Sequence, residues 1–344
     1  MFVFFPYRAA LLVLRQNCLC ILLMFFALGT GCAANTPPPQ PQVLTALPTV
    51  GSLPQTSGAY TPQPIDPAWM PLYQRLRRDG LDGPDLSALF AAMTTPSQDP
   101  MGRKIKELYT KAFAPKPAPP PPGTRFPKPK PKLYPGVVTP ANARRCKDFI
   151  DANASAFVNV ESTTGVPREI AVSLLFVETR LGEYLGEQKA FYTLASMAAS
   201  RTPSYITRYL AQLPAANTRL DWIQTRMEQR SDWAYKECVA LLTHSRATKA
   251  NPLDLPGSIY GAVGLCQFMP SNITLYGADG DNDGKIDLFT LPDALASLSN
   301  YLVKHGWGKS TTREHQHKVI KNYNRVDIYA NTILSLSEAV RALE

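Results

Sequence analysis

The 344-residue chain is poor in the side chains that build metal enzymes and disulfide frameworks. It has four histidines and six cysteines, and none of them follows the spacing of a zinc site such as HExxH. We therefore do not expect a catalytic zinc ion. The chain also contains almost no alternating apolar and polar segments and no internal repeat, so neither a β-sheet fold nor a repeat architecture is predicted.

A long apolar run is missing as well. The N-terminal run Cys20 to Leu28 is short for a membrane-spanning helix. Two arginines precede it and small residues lead into Cys32, which is the order of a secretory signal and resembles the lipobox of bacterial lipoproteins. The sequence predicts a signal peptide over 1–31 and lipidation of Cys32. An uncleaved anchor and an ordinary signal peptide remain open.

The residue after Cys32 bears on the membrane to which the chain is anchored. Alanines at 33 and 34 stand where an aspartate would favour retention in the inner membrane. For a Gram-negative lipoprotein this pattern favours the outer membrane. We therefore expect a periplasmic domain held to the membrane by its lipid.

Charge is scarce over residues 32–66, where Pro, Gln, Thr and Ser dominate. Such a segment cannot form a core and is predicted to be a tether. Apolar spacing from Trp69 predicts two short amphipathic helices, separated by "DGLDGPD", in an N-terminal helical segment over 67–113. Residues 114–136 are rich in proline and lysine and predict extended backbone, either a free linker or a strap over the domain.

The formal charge of +9 fits an anionic partner. Its lysines and arginines cluster around the proline-rich tract between Arg103 and Lys147, and they do not alternate with aromatic residues on a regular element. Nucleic acid, an acidic cell-surface polymer and anionic lipid all remain open on charge alone.

Beyond Pro140 the pattern is helical almost to the end, and 137–344 is predicted to be one mainly α domain. The predicted helices cover 140–160, 167–179, 190–199, 203–212, 218–245, 292–305 and 326–342. Hydrophobic residues make up 45% of the chain, enough for a sizeable core. If the signal peptide is removed and Cys32 carries the lipid, three cysteines remain: Cys146, Cys238 and Cys266. Three cysteines permit at most one internal disulfide.

One acidic residue follows directly on an apolar helix. In "PREIAVSLLFVETRLG" the residues before Glu178 are apolar on nearly every side, which predicts a core helix. A carboxyl group at the mouth of such a helix is desolvated, so its pKa rises and it can act as a general acid near neutral pH. A surface ion pair with Arg180 is the alternative.

Several motifs together resemble the membrane-bound lytic transglycosylase B family. They are "VETRLG", "GSIYGAVGLCQFMPS", "ADGDNDGKIDL", "LVKHGW" and "NYNRVDIYA", in the family's order and approximate spacing. The resemblance covers Val137 to about Ala339. It implies a lysozyme-like helical fold that cleaves peptidoglycan between N-acetylmuramic acid and N-acetylglucosamine. The implied partners are glycan strands and, through the lipid, a membrane; nucleic acid is not among them.

The same resemblance implies roles for individual residues. Glu178 takes the place of the acid/base glutamate, and the substrate-binding positions fall on Ser258, Gln267, Tyr323 and Tyr329. Two departures stand out: Cys266 replaces a glycine, and only the short run 308–321 joins "HGW" to "NYN", where many members carry a long insertion. For the tyrosines, core packing is the alternative.

No obvious second carboxylate accompanies the segment 261–270. A usual glycosidase needs a pair, whereas the resemblance implies one glutamate acting with the substrate's N-acetyl group to form a 1,6-anhydromuramic end. A hydrolytic muramidase of the same fold and a non-catalytic glycan-binding lipoprotein remain open.

The acidic stretch predicts an EF-hand-like loop. Asp279, Asp281 and Asp283 occupy positions 1, 3 and 5, and Lys285 would offer its carbonyl at 7. Thr290 stands where a bidentate Glu is expected, and Asp293 supplies the carboxylate from the next helix. We expect a structural calcium ion that fixes the segment holding Gln267. The alternative is a capping box formed by Thr290 and Asp293 beside a solvated turn.

Overall fold

The computed structural model describes residues 64–115 and 131–343. The predicted signal peptide, Cys32, nearly all of the tether and most of the proline- and lysine-rich segment lie outside the described residues. Within those two ranges, no helix combines the length and the apolar character that crossing a membrane requires.

The N-terminal helical segment holds three helices, α1 (Met70–Arg78), α2 (Pro84–Ala91) and α3 (Asp99–Phe113), after a short 3-10 turn. Trp69 ends that turn fully buried, and its indole Nε1 donates to the Thr94 carbonyl at 2.9 Å. The first two helices match the predicted pair, and α3 was not predicted separately. Prolines stand in the first turn of all three helices, where the missing N–H has no intrahelical partner to lose.

The next three helices are α4 (Pro140–Ala152), α5 (Ala154–Thr164) and α6 (Arg168–Thr179). The single helix predicted over 140–160 breaks at Asn153, which leaves helical geometry and donates its side-chain amide to the Phe149 carbonyl at 2.9 Å. Helix α6 is buried along almost its whole length, as its apolar sequence predicted.

A two-stranded ribbon and three helices follow. Strand β1 (Gln188–Lys189) pairs antiparallel with β2 (Pro256–Gly257), and between them lie α7 (Ala190–Ala199), α8 (Thr207–Leu210) and the long α9 (Leu220–Thr248). The predicted helix over 203–212 is a 3-10 turn followed by α8. Helix α7 has the predicted bounds, whereas α9 begins two residues after the predicted start and ends three residues after the predicted end.

The C-terminal part contains α10 (Pro270–Tyr276), α11 (Leu291–Lys304), α12 (Arg313–Tyr323) and α13 (Asp327–Arg341). The sequence patterns predicted neither α10 nor α12. His315 and His317 lie on α12, whose N-cap Thr312 accepts from the His315 N–H. The mainly α fold is confirmed.

The site depends on how these helices pack. Helix α6 contacts α13 and α4 most extensively, and α7 lies along α9. Helix α3 packs against both α7 and α9, so the N-terminal helical segment shares one hydrophobic core with the rest of the described chain. Cys146, Cys238 and Cys266 are all buried and free.

Candidate active site

Glu178 lies at the C-terminal end of α6 and is 5% exposed. The alternative of a surface ion pair between Glu178 and Arg180 does not form among the described residues. Burial raises the pKa of Glu178 to about 8, although a hydrogen bond from Tyr329 lowers it in part. The carboxyl group is therefore largely protonated at neutral pH, which is the state a general acid needs.

The C-terminal end of α12 carries Tyr323 and the first turn of α13 carries Tyr329, the two predicted tyrosines, close to this carboxyl group. The Tyr329 hydroxyl donates to Glu178 Oε1 at 2.5 Å. The Tyr323 ring lies nearly parallel to that of Tyr329, with centroids 6.3 Å apart. The Tyr323 hydroxyl donates to the Cys266 carbonyl. The aromatic pair therefore joins α12 to the "GLCQF" segment, residues 264–268, and joins α13 to α6.

The chain turns sharply after Glu178. Arg180 and Leu181 both adopt left-handed backbone angles, with φ of 53° and 66°, which non-glycine residues rarely do. Thr179 holds the turn in place: its Oγ1 donates to the Leu265 carbonyl at 3.0 Å and accepts from the Gly182 N–H at 3.1 Å. The end of α6 is thereby tied to the segment that carries Gln267.

Gln267 occupies a tight turn between two residues that pair with each other. The Val263 N–H donates to the Phe268 carbonyl at 2.8 Å, and the Phe268 N–H donates back at 3.0 Å. Gln267 itself has a φ of 51°. Its side-chain Nε2 donates to the carbonyls of Leu185 and Gly264. These bonds fix the amide plane and direct the carbonyl oxygen away from its two backbone acceptors.

Ser258 holds its own turn. Its Oγ accepts from the N–H groups of Tyr260 at 3.3 Å and Ala262 at 3.0 Å. Among the described residues it makes no hydrogen bond to Glu178 or to the other predicted substrate-binding residues. The structure therefore brings Glu178, Tyr323 and Tyr329 together, attaches Gln267 through the "GLCQF" segment, and leaves Ser258 in an adjacent turn.

A cavity of about 280 Å³ lies beside Tyr323. Rings of Trp233, Tyr260 and Tyr301 line it together with amide groups and the cations of Lys104 and Arg230. Helix α3 contributes Lys104, so the N-terminal helical segment forms part of the wall. This mixture of aromatic faces and polar groups is suited to a sugar ring.

The acidic loop places three carboxylates together. Ligand oxygens of Asp279, Asp281 and Asp293 lie within 4.8 Å of one another, while Asp283 lies outside this group. The Lys285 carbonyl as a ligand stays a prediction. Burial raises the pKa of Asp293, and the charges of Asp281 and Asp279 raise it further. Such a cluster of oxygens with like charges fits a divalent cation, which would offset the repulsion.

The competing capping box does not form. A capping box would require the Asp293 carboxylate to accept from the Thr290 N–H. Asp293 accepts instead from the N–H groups of Gly280 at 2.7 Å and Asp287 at 2.6 Å. The Thr290 hydroxyl donates to the Asp287 carbonyl at 3.0 Å and caps no N–H of α11. Asp293 therefore serves the loop rather than the helix.

The loop is attached to the site segment through its backbone. The Leu265 N–H donates to the Leu288 carbonyl at 2.8 Å. Gly264, with a φ of 75°, leaves no room for a side chain, because an added Cβ would lie 2.4 Å from Leu288 Cβ. The end of the loop is thus in direct contact with the turn that carries Gln267.

Tyr134 is a neighbour of Glu178 that the sequence analysis missed. It was assigned to the proline- and lysine-rich segment rather than to the domain. Its backbone N–H donates to Thr332 Oγ1 on α13 at 2.9 Å, and its pKa is raised by burial and by the charge of Glu178. The motif "LYPGVVTP" offered no signal for a site residue, since the contact depends on how the segment packs.

These observations define a class: a helical, lysozyme-like domain with a buried, largely protonated glutamate at the end of its central helix. A family model described as the transglycosylase SLT domain matches residues 65–315, more than half of the chain, and the chain belongs to this family. The match begins before α1 and ends within α12, so it includes the N-terminal helical segment.

A curated relative is the membrane-bound lytic murein transglycosylase B of Escherichia coli (strain K12). It is 30% identical over 172 residues, which is 50% of this chain and 40% of the relative. The matched region thus spans well under half the length of that protein.

Solved structures share the fold. Soluble lytic transglycosylase SltB1 from Pseudomonas aeruginosa superposes with a TM-score of 0.59 at 23% identity, covering 80% of this chain and 99% of that one. Slt35 of E. coli in complex with calcium gives 0.57 at 19% identity, with coverages of 80% and 93%. SltB3 from P. aeruginosa in complex with NAG-anhNAM-pentapeptide gives 0.55 at 18% identity, with coverages of 79% and 78%.

Proposed function

We propose that this chain is a peptidoglycan lytic transglycosylase that cleaves the bond between N-acetylmuramic acid and N-acetylglucosamine and leaves a 1,6-anhydromuramic end. The observation that carries the proposal is the separation of Glu178 from other carboxylates: no aspartate or glutamate of the described residues shifts the pKa of Glu178. A usual glycosidase keeps a second carboxylate roughly 5 to 10 Å away. The complex of SltB3 with an anhydro-muramyl ligand supports the same product.

In this mechanism Glu178 acts twice. Its carboxylic acid first protonates the glycosidic oxygen as the bond to C1 of the muramic acid breaks. The substrate's N-acetyl group stabilises the positive charge at C1. The C6 hydroxyl then attacks C1 and gives its proton to the Glu178 carboxylate, so the acid is restored and water is not consumed.

The neighbouring residues have supporting roles in the proposal. Tyr329 holds Glu178 Oε1, so that the carboxyl group keeps one orientation. Gln267, with its amide nitrogen held by two backbone carbonyls, orients the glutamate or the acetamido group through its oxygen. Tyr323 stacks against the sugar at the edge of the cavity. Ser258 fixes the turn that forms the cavity's other side.

The experiment is mass analysis of the muropeptides that the purified full chain releases from peptidoglycan. We expect anhydromuramic ends, and we expect Glu178→Gln to remain folded while losing about 10²- to 10⁴-fold in rate, the range for a general acid. Glu169→Gln is the matched control, because Glu169 lies on the same helix and is equally buried but pairs with Arg341. It should keep its activity.

Other products would change the assignment. Reducing muramic ends would identify a hydrolytic muramidase. Binding of glycan without release of any fragment would identify a binding protein, and an unchanged rate in Glu178→Gln would remove the proposed acid.

We also propose that the acidic loop binds a structural calcium ion, held by Asp279, Asp281 and Asp293. Asp283 and the Lys285 carbonyl complete the predicted ligand set. The crystallised calcium complex of Slt35 supports the choice of cation. The ion takes no part in bond cleavage and stabilises the loop that supports Gln267.

For location we propose a periplasmic enzyme held to the outer membrane through a lipid on Cys32. The motivating pattern is the run of small residues before Cys32 and the alanines after it. Cys32→Ala should move the protein to the soluble fraction, because the lipid supplies the membrane affinity. The measurement is fractionation followed by immunoblotting. Continued membrane association of the variant would contradict lipidation and favour an uncleaved apolar anchor.

A further inference from the structure

The hydroxyl of Tyr134 has an unusual environment. Its oxygen is buried and has no hydrogen-bond partner among the described residues. A buried hydroxyl without a partner destabilises a fold, and few such groups occur in native structures. Its retention next to a candidate active site therefore calls for a reason other than packing.

The backbone imposes this position. Four hydrogen bonds hold the segment that carries Tyr134: its N–H donates to Thr332 Oγ1, its carbonyl accepts from Val137, and Asn142 Nδ2 donates to the carbonyls of Gly136 and Val137. These bonds anchor the backbone that carries the ring. The Tyr134 hydroxyl can therefore change its position only through rotation of its own side chain.

The position is next to the catalytic carboxyl group. Thr332 lies one turn after Tyr329 on α13, and Tyr329 holds Glu178 Oε1. No hydrogen bond from another described residue reaches the second oxygen of Glu178. The charge of Glu178 raises the pKa of Tyr134 beyond the effect of burial, so the phenol keeps its proton and remains a donor.

We propose that Tyr134 is a positioning residue that donates a hydrogen bond to the Glu178 carboxylate formed during the reaction. This proposal rests on the proposed function. In the resting state Glu178 is protonated and needs one donor, which Tyr329 supplies. When the proton passes to the glycosidic oxygen, the carboxylate needs a second donor, and the Tyr134 hydroxyl turns towards it and provides that hydrogen bond. The bond is released when the C6 hydroxyl returns a proton to Glu178.

Direct contact between Tyr134 and the sugar is the competing role. The Tyr134 oxygen is almost inaccessible in the structure, and a ligand atom could reach it only after the surrounding residues move. The position therefore favours action through Glu178. The two roles differ in what they change: a sugar contact changes KM, whereas support of the carboxylate changes kcat and the pH profile.

The test is Tyr134→Phe in the full chain, assayed on a soluble glycan oligomer across pH. We expect kcat to fall by about tenfold with KM within about twofold. In the profile of kcat against pH, the alkaline limb should move to a pH about one unit higher. Loss of a donor disfavours the carboxylate and so raises the pKa of Glu178. The melting temperature should stay equal or rise, since an unpartnered hydroxyl has been removed.

Two further variants separate the proposal from a general effect of core mutation. Ser299→Ala removes another buried, unpartnered hydroxyl on α11 and should leave kcat and the alkaline limb unchanged. Thr332→Val keeps the phenol but removes the acceptor of its backbone N–H, and we expect a smaller fall in kcat. An unchanged kcat and pH profile in Tyr134→Phe would overturn the proposal, as would a raised KM with an unmoved alkaline limb.

The proposal and the proposed function can fail separately. The pKa of Glu178 can be measured by ¹³C NMR of selectively labelled protein, without any turnover. A higher pKa in Tyr134→Phe than in the wild type supports the hydrogen bond even if no anhydro product is found. An equal pKa in the two proteins overturns it even if the anhydro product is formed.

Discussion

At the scale of the residue, the chemistry of Glu178 follows from its place at the end of a buried helix. Ten of the twelve positions of α6 are buried, and the carboxyl group is the last acidic group before the chain turns. Desolvation is the largest cause of its raised pKa, and the Tyr329 hydrogen bond opposes it. The same burial that makes the acid useful also makes it costly to the fold when it ionises.

This cost predicts a pH-dependent stability. The pKa of Glu178 is about 8 in the folded chain against an ordinary 4.5. Between these values the unfolded chain is ionised and the folded chain holds the proton, so the free energy of unfolding falls as pH rises through this window. Glu178→Gln should remove this dependence and stabilise the fold by about 3 kcal/mol at pH 7, with little effect at pH 4.

Urea unfolding of both proteins at pH 4, 6 and 8 measures the difference. Glu169→Gln is the control. It leaves Arg341 without its carboxylate partner, so the free energy of unfolding should fall, whereas in Glu178→Gln it should rise. Equal stabilities of the wild type and Glu178→Gln at all three pH values would contradict the buried acid.

At the scale of the element, the acidic loop and the "GLCQF" turn act as one unit. The loop supports its aspartates with its own N–H groups: Asp279 accepts from Asn282, Asp283 and Gly284. The Leu265 N–H then joins the loop's end to the turn that carries Gln267. A cation bound at one end of this unit therefore stabilises the site at the other.

Removal of the cation should accordingly lower the melting temperature. At a calcium concentration 100 times the dissociation constant, binding stabilises the fold by about 2.7 kcal/mol. We expect EDTA to remove this contribution and added calcium to restore it, as measured by thermal unfolding. Asp281→Ala should abolish the response, whereas Asp254→Ala, which removes a carboxylate outside the acidic loop, should retain it. A melting temperature that does not respond to EDTA or calcium would rule out the ion.

At the scale of the whole molecule, the N-terminal helical segment is part of the catalytic body. Phe90 on α2 is fully buried against Trp69 and against Phe191 on α7. Arg75 on α1 forms an ion pair with Asp232 on α9 at 3.0 Å. Without this segment, apolar faces of α7 and α9 would be exposed to water. We therefore expect a fragment that starts at Val137 to lose stability.

Two phenylalanines of the segment test this expectation. Phe90→Ala should cost about 3 to 5 kcal/mol of unfolding free energy, because it removes a fully buried ring. Phe113→Ala is the matched control: the ring is 37% exposed at the end of α3, and its removal should cost much less. Chemical denaturation of the full chain measures both. A loss at Phe90 as small as the one expected at Phe113 would contradict a shared core.

The sequence by itself determined the elements with strong local patterns. The apolar run before Glu178 predicts a buried helix, and burial is sufficient to predict a raised pKa for the carboxyl group at its end. Alternating aspartates and the glycine at 284 likewise predict a turn that binds a cation. These properties depend on neighbours within one or two turns of chain, which a linear pattern contains.

Only the tertiary structure decided which groups meet. The sequence does not show that Tyr329 reaches Glu178 across 151 positions, or that Tyr134, from a segment interpreted as a linker, lies beside it. Helix α12 was missed because its polar sequence carries a weak apolar pattern, and its helical state depends on packing against α13. Lys104 enters the cavity wall only because α3 packs on α7 and α9. Contacts between distant segments arise from the packing of whole helices, and no local pattern specifies them.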